Sequence, residues 1–330
     1  MNCGIIGLPN VGKTALFNLL TENKAESSNY PYCTIEPNNG IAELKDPRFN
    51  NLSKIAKQAR IVYPKIMFTD VAGLPPGASE GAGLGNQFLS NIRSSYALLH
   101  IVRAFVSPQV SRFDNKESTP QKDIELLEAE LYLSDLEICE RRLKEDPKSE
   151  YWLKTKKNLQ QQKPPQQDEE GLLLTAKPQI IVVNITTGTE KPDIKGENVI
   201  YIDVDFQKEL LGMEEQERRQ FTEDMPGWES DINDIIYRVK NMLGLITFFT
   251  VVGGNEIKGY NVKRGTSAYE AAGKIHTDMK KNFIKAKCFN YNDLENEDFS
   301  LSRLREKGKI RTEGKDYKVK EGDILEIMFG

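Results

Sequence analysis

Cysteine is scarce in this chain, with Cys3, Cys33, Cys139 and Cys288 far apart among 330 residues and none at a paired metal-ligand spacing. That excludes a disulfide scaffold and a cysteine zinc site, and it points to reduced thiols in a reducing compartment. Histidine is scarcer still, with only His100 and His276. No apolar run approaches the about 20 residues that span a bilayer. The N-terminus lacks a basic segment followed by a long apolar stretch, so no signal peptide is expected. A cytoplasmic protein without a membrane segment is the expectation. A dominant charge is missing too. There are 45 Lys/Arg against 49 Asp/Glu, a net −4, and nothing in that balance marks the whole chain as a nucleic-acid binder. Charged residues at 28% and hydrophobic ones at 38% exclude wholesale disorder. The length predicts two or three domains.

What is present is an alternation of apolar strands and helices. Cys3 to Ile6 is a short strand that runs into a glycine loop, and a helix through Leu16, Leu19 and Leu20 follows. A strand is predicted over Ile61 to Thr69, ending at Asp70. Ala97–Val102, Gln179–Val183 and Val199–Ile202 read as further strands, the first two apolar enough to be buried on both faces. Strands separated by helices predict a doubly wound, mostly parallel α/β sheet.

Between these strands, Asp123 to Leu143 is helical and carries two apolar seams. Leu126, Ala129, Leu133, Leu136 and Leu143 form one, interrupted by Glu140, and Ile124, Leu127, Leu131 and Ile138 form the other. A weaker helix through Trp152 and Leu159 follows the Pro147 break, and Pro164-Pro165 ends it. The pair predicts an inserted antiparallel hairpin, favoured over a single helix lying on the sheet. From Ile246 the pattern changes to short strands and small helices. Strands are expected over Leu245–Val252, Glu256–Val262, Ile284–Asn290, Tyr317–Val319 and Ile324–Phe329, with one helix from Thr266 to Met279 capped by Thr266 or Ser267. The expected division is 1–111 with 171–245 for the nucleotide domain, 112–170 for the hairpin and 246–330 for an α+β domain.

Gly7-Leu8-Pro9-Asn10-Val11-Gly12-Lys13-Thr14 carries the chemistry. G-x-x-x-x-G-K-T between a strand and a helix is a phosphate-binding loop, in which successive N–H groups and the helix N-terminus face an anion. Lys13 should reach the β- and γ-phosphates and the Thr14 hydroxyl should ligate Mg²⁺. Asp70-Val71-Ala72-Gly73 closes the next strand, where the Asp70 carboxylate can hold the Mg²⁺ through water and the Gly73 N–H can sense the γ-phosphate. The expected nucleotide-binding set is Asn10, Val11, Gly12, Lys13, Thr14 and Ala15, with Asn184 and Ile185 at the base. Lys13 and Gly73 are the catalytic candidates from this motif pair.

Together with Asn29-Tyr30-Pro31-Tyr32-Cys33-Thr34-Ile35-Glu36-Pro37-Asn38 and Asp70–Arg93, these motifs resemble the YchF subfamily of Obg-like ATPases. Arg264-Gly265-Thr266, Ala271 to Asp278 and Glu313 to Tyr317 resemble that family's TGS domain, a β-grasp fold, and the hairpin falls where the family carries a coiled coil. The resemblance implies that Thr34 completes the Mg²⁺ shell and joins the catalytic set. It also implies that Leu74 replaces a water-orienting glutamine, and that Asn10 binds K⁺. Ribosome binding through the large subunit is implied as well, with an RNA contact through the TGS domain.

Two departures qualify this. Ras-like GTPases read guanine with N-K-x-D, but the corresponding loop here is Asn184-Ile185-Thr186-Thr187, with no carboxylate for the guanine donors. Obg-like ATPases carry a glutamate at that fourth position, and Thr187 departs even from that. The loop after Val102-Arg103 also lacks the histidine that the family's bacterial members use, and His100 reads as a packed core residue. The reading is therefore a slow ATPase that also takes GTP less specifically. A GTP-preferring relative and a nucleotide-dependent interaction module with negligible hydrolysis stay open beside it. Segment charge is mild: 112–170 hold 11 Lys/Arg against 15 Asp/Glu, and 246–330 hold 16 against 13. The basic cluster Lys307, Lys309, Arg311, Lys315, Lys318 and Lys320 gives modest support to ribosome binding.

Overall fold

The computed structural model describes residues 1–21, 39–56, 58–71, 89, 92–107, 118–168, 170–196, 198–214, 217, 231–252 and 254–330. Two compact units emerge: 1–42 with 67–239, and 43–66 with 240–330.

The first unit is built on a six-stranded sheet. Its strands are β1 (Asn2–Ile6), β2 (Asn39–Glu43), β4 (Lys65–Asp70), β5 (Ala97–Arg103), β6 (Gln179–Asn184) and β7 (Val199–Ile202), in the spatial order β2-β4-β1-β5-β6-β7. The pairs from β4 through β7 are parallel. Every residue of β5 is buried, as its unbroken apolar run requires. The order reverses at β1, whose two neighbours are β4 and β5. This is the switch point where open α/β sheets bind ligands at the carboxyl ends of the strands.

Helix α1 (Lys13–Thr21) follows the glycine loop and buries Leu16, Leu19 and Leu20. Helix α3 (Pro120–Glu145) starts at Thr119, whose hydroxyl caps the Lys122 N–H at 3.3 Å, with Pro120 in the first turn. It turns back into α4 (Glu150–Gln160). Tyr132 reaches the Gln162 carbonyl at 3.0 Å, and Glu140 meets Lys156 at 3.0 Å. Pairs converging in this way make the two helices antiparallel.

The seams on α3 have unequal fates. Leu127 and Leu131 pack with Ile6, Leu98 and Leu174, and Ile124 packs with Val102 and Ile181. Leu126 and Leu133 of the other seam are 39% and 45% exposed. The helix is thus both a sheet-packed helix and one arm of a hairpin. Helices α5 (Val204–Leu211) and α6 (Ile232–Met242), absent from the sequence reading, follow, and the boundary with the second unit falls within α6, at 239/240. Asp203 caps α5 through a 3.0 Å bond from the Phe206 N–H.

The second unit has its own six-stranded sheet. It contains β3 (Arg60–Val62), β8 (Leu245–Val252), β9 (Glu256–Lys263), β10 (Phe283–Asn290), β11 (Arg311–Glu313) and β12 (Asp323–Phe329), ordered β11-β10-β12-β8-β9-β3. The short helices are α2 (Arg48–Leu52), α7 (Ala268–Ile275), α8 (Thr277–Lys281), α9 (Tyr291–Asn296) and α10 (Leu301–Glu306).

Three expectations change here. The single strand over Ile61–Thr69 is two strands in two sheets. Pro64 has no N–H to extend a ladder, so β3 ends at Val62 and pairs with β9 in parallel, while β4 begins at Lys65 in the other sheet. The helix over Thr266–Met279 is two, because His276 is extended (φ −159°, ψ 144°) and its Nδ1 accepts the Asp278 N–H. Ser267 does cap the first of them, in a reciprocal box with Glu270. Tyr317–Val319 forms no strand and makes only an isolated bridge, Ser267 to Lys318.

The segment 43–66 is therefore integral to the second unit. Phe49, Leu52 and Ala56 share a core with Phe249, Ile257, Tyr291, Leu294 and Ile324. Arg48 pairs with Asp46 and Glu321, and Glu321 also accepts from fully buried Lys240 at 2.9 Å and from the Thr247 N–H at 2.9 Å.

Candidate functional site

The glycine loop is shaped by close approach. A Cβ on Gly7 would lie 2.5 Å from the Ile101 carbonyl oxygen, and one on Gly12 (φ 101°) would lie 2.7 Å from Asn184 Nδ2. Neither position admits a side chain without moving the loop. Asn10 holds φ 63°, the left-handed conformation that asparagine tolerates better than most residues. Thr14 and Ala15 are exposed in the first turn of α1, where helix N–H groups have no intrahelical acceptor.

Lys13 is buried and its Nζ donates to the Leu8 carbonyl at 2.9 Å, so the ammonium folds over its own loop. Burial lowers its pKa to about 8, partly opposed by the Asp70 carboxylate. The Thr14 hydroxyl donates to Asp70 Oδ2 at 3.1 Å. Asp70 Oδ1 is buried with no hydrogen-bond partner. Desolvation raises the Asp70 pKa, against the Thr14 bond and the Lys13 charge. A hydroxyl and a half-satisfied carboxylate beside an anion-binding loop fit a hydrated Mg²⁺, which would supply the missing charge and water for Oδ1. Among the described residues no cluster of three or more His, Cys, Asp or Glu forms a separate metal site. Thr34, Gly73 and Leu74 lie outside the described residues.

The carboxyl ends of β5 and β6 lie beside the glycine loop, with β7 next to them. Asn184, at the end of β6, pairs with Arg103 and Ile202 across the two neighbouring strands. Its side chain is committed to the scaffold. Nδ2 donates to the Val11 carbonyl at 3.1 Å, and Oδ1 accepts the Val204 N–H at 3.2 Å. It ties the glycine loop to the start of α5. The Ile185 N–H is used by the Ile202 carbonyl at 2.9 Å. The Ala104 and Phe105 N–H groups both donate to the Asn184 carbonyl, at 2.8 and 3.0 Å, and the Arg103 guanidinium lies 4.5 Å from the Phe105 ring centre.

Two residues here were missed by the sequence reading. Phe105 offers an aromatic face at the strand ends. Asp203 accepts the Thr187 N–H at 2.6 Å through Oδ2. The signal that marks them is position alone, immediately past the ends of β5 and β7. His100 is a core residue as expected, buried in β5 with burial and the Lys13 charge lowering its pKa to about 4. It is neutral near pH 7. The described thiols Cys3, Cys139 and Cys288 are buried and unpaired, and burial raises all three. No helix among the described residues is long and apolar enough to cross a membrane.

Comparison with known proteins agrees with this geometry. Residues 2–134 match the family model described as a 50S ribosome-binding GTPase. Residues 245–330 match the YchF-GTPase_C model, described as a protein of unknown function. The chain is 37% identical to the ribosome-binding ATPase YchF of Buchnera aphidicola subsp. Schizaphis graminum, over 99% of this chain and 98% of that protein. It is 36% identical to the protein of the same name from Bacillus subtilis, over 100% and 99%. The structure of the Schizosaccharomyces pombe YchF GTPase superposes with a TM-score of 0.83 at 29% identity, covering 99% of this chain and 97% of that one.

Proposed function

This chain belongs to the YchF family, and from that premise we propose that it is a Mg²⁺-dependent ATPase that associates with the ribosome and hydrolyses ATP slowly to ADP and phosphate. The observation that carries the reading is the Lys13–Thr14–Asp70 arrangement, with the Thr14 hydroxyl 3.1 Å from Asp70 Oδ2 and Oδ1 left for a metal-bound water. Lys13 swings from the Leu8 carbonyl to the β- and γ-phosphate oxygens, and the first N–H groups of α1 receive the rest of the charge. Thr14, Thr34 and, through water, Asp70 would hold the Mg²⁺, which would supply positive charge to the phosphate oxygens. Gly73 meets the γ-phosphate through its N–H. Asn10, Val11, Gly12 and Ala15 complete the phosphate cradle. Ile185 borders the base beside Phe105, and Asn184 fixes that border.

The base loop offers no carboxylate from β6, which supports ATP over a strict preference for GTP. Asn10 adds a K⁺ site against the same phosphates. The antiparallel pair α3 and α4 supports a hairpin arm, and the second unit, 43–66 with 240–330, supports a TGS-like domain that includes an earlier segment of the chain. Within the latter, Lys307, Lys309 and Arg311 already pair with Glu297, Asp293 and Glu313. An RNA contact there is better supported by Lys280 and Lys315, which lie 5.2 and 5.5 Å from the Tyr269 ring centre.

Calorimetric titration of ATP and GTP, with Mg²⁺ and with chelator, tests the reading. The wild type binds ATP tightly only with Mg²⁺. Lys13→Ala loses affinity by about 10- to 100-fold, the worth of a hydrogen bond to a charged group, while keeping its melting temperature. Undiminished binding and turnover in a folded Lys13→Ala protein would sink the phosphate assignment.

A further inference from the structure

The base loop, Asn184 to Thr187, contains no carboxylate of its own. Asn184 has both side-chain atoms engaged, with Val11 and Val204. Residues 185–187 are Ile, Thr and Thr. Yet a carboxylate touches this loop from the next strand. Asp203 follows Ile202, which is the register partner of Asn184, and its Oδ2 accepts the Thr187 N–H at 2.6 Å. Its Oδ1 accepts the Phe206 N–H at 3.0 Å. Each carboxylate oxygen has a further lone pair, and the side chain is half-buried rather than sealed. Phe105, Asn184 and Asp203 stand at or just past the carboxyl ends of three neighbouring strands, the side on which open α/β sheets bind ligands.

We propose that Asp203 is the specificity-determining residue of the nucleotide site, its carboxylate accepting a hydrogen bond from the 6-amino group of adenine. The inference rests on the ATPase reading above. Adenine presents a donor at position 6. Guanine presents a carbonyl oxygen there, which a carboxylate repels. One residue thereby supplies both an attraction to ATP and a penalty against GTP. The bond to the Thr187 N–H and the cap on α5 hold the carboxylate in place, so little ordering is left for nucleotide binding to impose.

The test uses the full-length chain with three ligands: ATP, GTP and purine riboside 5′-triphosphate, which lacks the 6-amino group. Asp203→Asn and Asp203→Ser both retain a good helix cap, so the fold is kept and is checked by thermal melting. The wild type should bind ATP about tenfold or more tighter than the purine riboside triphosphate, as expected for a charge-assisted hydrogen bond. In both variants only a neutral acceptor remains, so that gap should narrow and the ATP-over-GTP ratio should fall, while the purine riboside triphosphate binds as before. Equal weakening of all three ligands would make Asp203 a loop support and overturn the proposal. So would an unchanged gap, or a selective loss of GTP, which would place guanine's N1 and N2 donors on the carboxylate. A wild type that binds none of the three overturns the ATPase reading and this inference together. Binding of ATP with no effect of Asp203 overturns the inference alone.

Discussion

At the residue scale, two side chains, Asn10 and Thr187, can each be tested by substitution. Asn10 sits at φ 63°, so replacing it by alanine would remove the side-chain oxygen and strain the turn at once. Asn10→Gly separates the two, because glycine accepts that conformation freely. If Asn10 holds K⁺, hydrolysis is faster in K⁺ than in Na⁺ at equal ionic strength. Asn10→Gly removes the difference and leaves ATP affinity within about twofold. An ion acting as an arginine finger does is worth up to about 10³–10⁵ in rate, so even a small fraction is measurable by phosphate release. Equal rates in both salts would end the K⁺ proposal. Thr187 is the second case. Thr187→Asp installs an acceptor for the guanine donors, but it also sets a carboxylate beside Asp203, already 2.6 Å from the same residue's N–H. Like charges that close disfavour each other. The shift toward GTP should therefore be larger in Thr187→Asp/Asp203→Ser than in Thr187→Asp alone, read as the ratio of ATP to GTP dissociation constants.

At the scale of elements, apolar runs made β1, β5 and β6 legible, because a parallel strand buried on both faces has no competing pattern. The phosphate loop and Asp70 were legible for a different reason: their spacing is fixed by the phosphates and not by packing. What the sequence concealed was partnership. The run from Ile61 to Thr69 reads as one strand, and only Pro64 hints that its two halves join different sheets. Asp203 was hidden because a strand-end aspartate before a helix reads as a cap, which it also is. The seams of α3 were found, but periodicity does not say which one meets the sheet. The cost of misplacing an element can be measured at Phe49 of α2. Its ring is fully buried, 4.9 Å from Tyr63 and 5.2 Å from Phe249, edge-on to both. Phe49→Ala should destabilise the second unit by about 3–5 kcal/mol, seen as an earlier urea transition in the full chain, with ATP affinity essentially unchanged. A change below about 1 kcal/mol would mean that 43–66 is a surface strap and not core.

At the scale of the whole molecule, the chain passes between the two units three times, near 42/43, 66/67 and 239/240. A fragment of residues 240–330 would lack β3 and the α2 side of its core, exposing Phe249 and Ile257, which are now fully buried. Expressed alone, it should show no cooperative thermal transition by circular dichroism. Joining residues 43–66 to it through a flexible linker should restore one. A fragment that melts cooperatively without 43–66 would contradict this. The triple crossing also bears on inheritance. Most domains can be copied, swapped or lost as a continuous stretch of gene. Here a recombination near codon 245 would deliver a C-terminal unit lacking the strand and helix it needs, and would leave behind a segment with nothing to pack on. Lineages carrying this architecture should keep the two units together.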